Sequence, residues 1–135
     1  MPFTTDYRDT FIGVAPDIRT EAAIVPPDPS SSAGLQYALL SASPYGWTSD
    51  DLLVEVLVRR KGIAEADRGA ARMAYFAKHQ GCMRTSPLTK RYGWGIHFDH
   101  RGRMAMYCMD GPEYAALAAR DDLRQLLALR STRKA

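Results

Sequence analysis

The run YGWGIHFDHRGRMAMYCM, residues 92–109, decides the fold. Its centre, Asp99-His100-Arg101-Gly102-Arg103, is a turn between two strands. A four-residue loop would pair Phe98 with Arg103 and mix apolar with charged neighbours. A three-residue loop, His100-Arg101-Gly102, pairs Asp99 with Arg103 and Phe98 with Met104. Trp94, Ile96, Phe98, Met104, Met106 and Cys108 then share one face. Gly95, His97, Asp99, Arg103, Ala105 and Tyr107 share the other. A slip of one residue would exchange the faces, and Gly102 suits the left-handed position of such a turn, so the three-residue loop is the expected register. The glycines of Gly93-Trp94-Gly95 lack the lysine and hydroxyl residue of a phosphate loop. They leave room for close backbone approach in a strand.

Before the hairpin, Leu53–Lys61 (LVEVLVRRK) alternates with a period of two and is rich in valine, which predicts a strand. Val54, Val56 and Val58 would lie on one side, Glu55, Leu57 and Arg59 on the other. Gly62 ends it, and Thr48-Ser-Asp-Asp51 just ahead fits a capping box for at most one helical turn. Thr10–Ala15 (TFIGVA) predicts a short strand at the sheet edge, closed by Ala15-Pro16. Three helical segments follow from apolar spacing. Leu35–Ala42 has Ser31 or Ser32 as cap. Residues 63–80 carry a stripe of Ile63, Ala66, Ala70, Met73 and Ala77, with Gly81 beyond. Residues 112–130 hold two helices, one opened by Gly111-Pro112 and one capped by Asp121. The expected fold is α+β, a small and mainly antiparallel sheet with helices on its apolar face. The Val54/Val56/Val58 row should meet Met73, Leu117, Leu123 and the Trp94/Ile96/Phe98 row in one core.

The chain has 135 residues, 46% of them hydrophobic and 24% charged, which suits a single globular domain over residues 1–135. Residues 26–32 (PPDPSSS) form a Pro/Ser-rich loop, and residues 131–135 form a basic tail expected to fray. No apolar run reaches the length of a membrane span. The opening MPFTTDYRDT lacks an apolar leader core, and two cysteines make no disulfide framework, so a cytoplasmic protein is expected.

Several runs resemble a small family of uncharacterised proteins known only as a domain of unknown function. They are TFIGVAPD (10–17), residues 35–45, DDLLVEVLVRRKG (50–62), residues 76–97 with KRYGWGIH, and the C-terminal YAALAARDDLRQLLALRS. Leu57 stands where that family's pattern carries a polar residue or histidine, and Gly81 where it carries proline. The resemblance implies no activity, cofactor or catalytic set.

Charge is segregated. Arg59 to Arg103 holds 11 Lys/Arg against three acids, or +8, and the remainder holds 7 against 12, or −5. Arg59, Arg68, Arg72, Arg84, Lys90 and Arg91 are therefore candidates for one anion-binding face toward a nucleic acid or a phosphorylated ligand. The same composition suits ordinary solvated helix and loop faces. On the polar side of the sheet, Glu55, His97 and Tyr107 would point the same way and form a candidate acid–base set; the alternative is a plain solvated face. A third class is a protein-interaction domain or homodimer joining the basic and acidic parts. Cys82 lies between Lys78 and Arg84 and reads as a structural thiol, and Cys108 as core. Cys82, His97 and His100 lack zinc spacing, so neither a metal site nor a cofactor is expected.

Overall fold

The computed structural model describes residues 2–132. Five strands, β1 (Thr10–Gly13), β2 (Trp47–Thr48), β3 (Trp94–Phe98), β4 (Arg103–Cys108) and β5 (Arg124–Leu127), form one sheet. Their order is β2-β4-β3-β1-β5. All pairs are antiparallel except β1 with β5. The helices are α1 (Ser32–Ala42), α2 (Ser49–Lys61), α3 (Arg68–Phe76), α4 (Pro87–Lys90) and α5 (Pro112–Ala118). The fold is α+β.

The hairpin has the expected register, with Phe98 opposite Met104, His97 opposite Ala105 and Trp94 opposite Cys108. Gly102 has φ +78°, a conformation other residues adopt at a cost, and its N–H donates to Asp99 O across the turn. Ile96, Phe98 and Met104 are fully buried against Leu39, Leu40, Leu52, Val56 and Leu88 from α1, α2 and α4.

The segment expected as a strand at Leu53–Lys61 is instead the body of α2. Thr48 Oγ1 accepts the N–H of Asp51 at 3.2 Å, Asp50 and Asp51 stand in the first turn, and Arg59, Arg60 and Lys61 stand in the last. Gly62, at φ 62°, closes the helix with a bond to Val58 O. Cap, dipole-matched charges and C-terminal glycine together outweigh the β preference of the valines, each of which alone costs a helix only tenths of a kcal/mol. The alternation has a separate cause: α2 packs against α1 on one side and α3 on another. Burial on both sides puts Leu52, Val54 and Val56 out of solvent together.

Two other expectations are corrected. The helix foreseen from 63 begins at Arg68, after a 3-10 turn at Glu65–Asp67, and ends at Phe76, short of Gly81. It also faces the other way. Met73 is 77% exposed, whereas Arg68, Arg72 and Tyr75 turn inward and Phe76 is buried. The carboxylates of α2 attract the arginine stripe, as described below. The second C-terminal helix is replaced by β5, which takes the outer side of β1, so β1 lies inside the sheet. Gln125 Nε2 donates to Leu117 O and Arg120 O, satisfying carbonyls at the end of α5 and turning the chain into the strand.

The apolar residues do not form one core. Phe11, Leu117 and Leu123, with Tyr107 and Tyr114, make a smaller cluster on the opposite sheet face under α5. The sheet is thus covered on both faces. Of the tail expected to fray, Ser131 and Thr132 donate their N–H groups to Asp17; residues 133–135 lie outside the described residues.

Candidate functional site

Three of the six candidate cations are engaged by α2. Glu55 accepts from Arg59 Nε at 2.6 Å and from Arg68 Nη2, and Asp51 Oδ1 accepts from Arg72 Nη1 at 2.8 Å. Hydrogen bonds from Arg59 and Arg68 hold the Glu55 carboxyl below its ordinary range. Arg84 is engaged differently: its Nε donates to Leu127 O at 2.7 Å and fastens the end of β5. These four cations tie helices and strand together.

Lys90 and Arg91 are placed otherwise. Pro87 opens α4, with Ser86 Oγ accepting the N–H of Leu88 as its cap, and Thr89 is fully buried with its hydroxyl on the carbonyls of Met83 and Ser86. One turn later the chain leaves the core and presents Lys90 and Arg91 side by side. Both line a cavity of about 520 Å³ with Arg19, Asp17, Ser131 and Thr132. Arg19 comes from the loop after β1, where Ile18 N–H bonds back to Ala15 O. Among the described residues, none of the five ion pairs involves Arg19, Lys90 or Arg91. Asp17 lines the same cavity, and its carboxylate accepts from the N–H groups of Ser131 and Thr132 and from Thr132 Oγ1. The Thr132 N–H is the foremost of the bonds that hold its pKa low. Arg19 escaped the reading of the sequence because it is distant in the chain and lies in a segment with no basic neighbours.

The acid–base set also changes membership. Glu55 sits on α2, so it does not join His97 and Tyr107 on the sheet. Tyr45 takes that place. Its Oη lies 2.7 Å from His97 Nδ1 and 2.7 Å from Tyr107 Oη. The loop that carries it, Ser43-Pro44-Tyr45-Gly46, was legible only as a helix break. Tyr45 has φ 59°, a left-handed conformation that a bulky residue rarely adopts, and its N–H donates to Met104 O at 2.7 Å. The β4 backbone holds the loop so that the phenol reaches across to His97. Burial, then the bond with Tyr107, pushes the Tyr45 phenol up. Burial, aided by Arg120, pushes the His97 imidazole below its ordinary value. His97, Tyr45 and Tyr107 thus form one continuous hydrogen-bonded chain, whose direction follows the tautomer of His97: with Nδ1 unprotonated Tyr45 donates to the ring, and with Nδ1 protonated the ring donates to Tyr45.

Cys82 is half-buried. Its Sγ is 3.1 Å from Tyr7 Oη, at a shallow cavity of about 200 Å³ shared with Asp6 and His79. Burial and then the thiol contact push Tyr7 up to about 12.

Among the described residues, no helix is long and apolar enough to cross a membrane. No curated protein and no solved structure matches the chain. A family model described as a family of unknown function (DUF6157) matches residues 3–134, nearly the whole length over which strands, helices and cleft are built, and the chain belongs to that family.

Proposed function

We propose that the protein binds a small phosphorylated ligand in the cleft of Arg19, Lys90 and Arg91. The observation that supports this reading is the selection among its cations. Arg59, Arg68 and Arg72 are neutralised by carboxylates of the same fold, while Arg19, Lys90 and Arg91 converge on one cavity without an ion-pair partner among the described residues. Guanidinium groups grip phosphate oxygens in pairs, lysine adds a point charge, and the hydroxyl of Ser131 supplies a neutral donor at the rim, that of Thr132 being held by Asp17. The cleft has the size of a site for a small molecule. A nucleic acid spread over six cations is disfavoured by the same ion pairs.

Titration calorimetry with pyrophosphate, and separately with single-stranded and duplex oligonucleotides, tests the reading. Saturable pyrophosphate binding, weakened about tenfold or more by Lys90→Ala with Arg91→Ala, is expected. If duplex DNA binds at all, three neutralised phosphates give a log–log salt slope of about −2.7, against about −5.4 for six. Absence of pyrophosphate binding at low salt, or binding unchanged in the double variant, would refute it.

A second reading is favoured by the Tyr45–His97–Tyr107 chain. It is an enzyme in which neutral His97, carrying its proton on Nδ1, takes a proton from substrate at Nε2 while the Nδ1 proton moves to Tyr45, that of Tyr45 to Tyr107, and that of Tyr107 to solvent. Loss of a turnover in Tyr45→Phe with substrate binding retained would support it over the first.

A further inference from the structure

A different cavity, of about 350 Å³, lies between α1 and α2 and is closed on its third side by Tyr75 of α3. Its walls are apolar: Leu53, Val56 and Leu57 from α2, with the ring of Tyr75. Its polar groups are donors. Gln36 is 5% exposed, and its Oε1 accepts from Ser86 Oγ at 2.6 Å. Ser86 Oγ also accepts the N–H of Leu88. The amide nitrogen of Gln36 donates to no described residue. No buried side-chain nitrogen or oxygen of the described chain lacks a partner, so this NH₂ group is not sealed in; it opens on the cavity that Gln36 lines. Arg60 and Lys61, at the end of α2, stand at the same cavity. Arg60 Nη1 donates to Ser32 Oγ at 2.8 Å, which fixes the guanidinium beside the opening. Arg60 also helps to lower the Asp28 carboxyl, whose oxygen is already held by Ser30 N–H and Ser30 Oγ.

A buried amide donor, two cations and an apolar wall make a complementary surface for one class of molecule. We propose that this cavity is a binding site for a small amphiphilic carboxylate, with the carboxylate toward Gln36 Nε2, Arg60 and Lys61 and the hydrocarbon part against Leu53, Leu57 and Tyr75. An uncharged apolar molecule would leave the Gln36 amide without an acceptor, which a dry site penalises. A small phosphorylated molecule with no apolar part would leave the hydrocarbon wall wet. The site therefore selects for both halves at once, and it is separate from the cleft of Arg19, Lys90 and Arg91.

The test is an NMR titration of the whole ¹⁵N-labelled chain with sodium hexanoate, with 1-hexanol as the uncharged probe. Hexanoate should saturate the shifts of the Gln36 side-chain amide and of residues 53–61, with a Kd on the order of a millimolar, as a ligand of that size supports. Hexanol should bind about tenfold more weakly or less. Leu57→Trp, which fills the cavity from a half-buried position, should abolish the shifts. Lys61→Glu, at an exposed position that keeps the fold, should weaken them. Overturning results are a lack of saturation by hexanoate, equal binding of hexanol, or shifts that gather at Lys90 and Arg91. Pyrophosphate added to the same sample reports on the other cleft, so failure of one site is read separately from failure of the other.

Discussion

The ring of Tyr114 lies directly on Gly95: a Cβ on that glycine would stand 2.6 Å from Cε2 of the tyrosine and 2.7 Å from Cζ of Phe11. Tyr114 cannot easily retreat, because its Oη accepts the N–H of Val14 at 2.9 Å. The glycine in the middle of β3 is thus the seat of α5 on the second face of the sheet. Gly95→Ala should cost about 1–3 kcal/mol, the usual cost of overpacking a filled site. Denaturant melts measure it. Tyr114→Ala in the same chain should relieve part of the loss, giving a non-additive cycle. Additive effects would mean that Gly95 is limited by something other than Tyr114.

Asp50 anchors the start of the chain to α2. Its carboxylate accepts from Thr4 Oγ1, Thr5 N and Thr5 Oγ1, each at 2.7 Å, and Asp50 N–H donates to Asp6 Oδ1. Thr5 is 3% exposed, so its N–H has no water to turn to. Asp50→Ala should destabilise the fold by about 2–3 kcal/mol, the range for a charged hydrogen bond lost with its partner still buried. Hydrogen exchange at Thr5 should rise at the same time. A variant as stable as the parent would show that residues 4–6 do not contribute to the cooperative unit.

How much of this was legible in the sequence depends on how local the deciding physics is. The register of the hairpin was legible because one residue of slip would expose Phe98 and bury Arg103, although Cys108, expected in the core, is only partly buried. The cap of α1 was legible too, since Ser31 Oγ accepts Gly34 N–H within three residues. Failure came where burial depends on distant partners. Val54 and Val56 read as a strand because α1 and α3 cover α2 on two sides. Leu123, Leu126 and Leu127 fit a helix as well as a strand; only the free edge of β1 decides between them. Of the candidate cleft, Lys90 and Arg91 were visible as charge, whereas Arg19 joins them only through the fold. Tyr45 was visible only as part of a break, and no local pattern announces that its phenol meets His97.

Glu55 pairs with two arginines. It bridges α2 and α3 by holding Arg59 and Arg68 at once, although both arginines remain partly open to water. Water screens such pairs, so Glu55→Gln should cost about 0.5–1 kcal/mol and no more. Pyrophosphate affinity should stay unchanged, since Glu55 has no part in the cleft of Lys90. A large loss of any turnover in this variant, with the fold intact, would return Glu55 to the acid–base set.

His97 should make stability depend on pH. Its imidazole is held below its ordinary value by burial and by Arg120, against the opposing pull of Asp99, Asp9 and Asp122. An unfolded histidine titrates near about 6.5. Between that value and the lower folded one, the unfolded chain holds the extra proton, so stability rises with pH across the window. The contribution is complete above about 6.5, is lost as pH falls toward the folded value, and is constant below it. Each unit of depression is worth at most about 1.4 kcal/mol, less for a half-exposed ring that water still screens. The chemistry at Nδ1 has the same sign: a protonated ring can no longer accept from Tyr45. Urea melts of the parent and of His97→Gln at a series of pH values between 4.5 and 8 isolate the effect, since His79 and His100 are common to both. The parent should lose more stability than the variant on acidification through that window. Parallel curves would mean that His97 titrates alike in the folded and unfolded chain, and that the Tyr45–His97–Tyr107 chain does not hold the ring neutral.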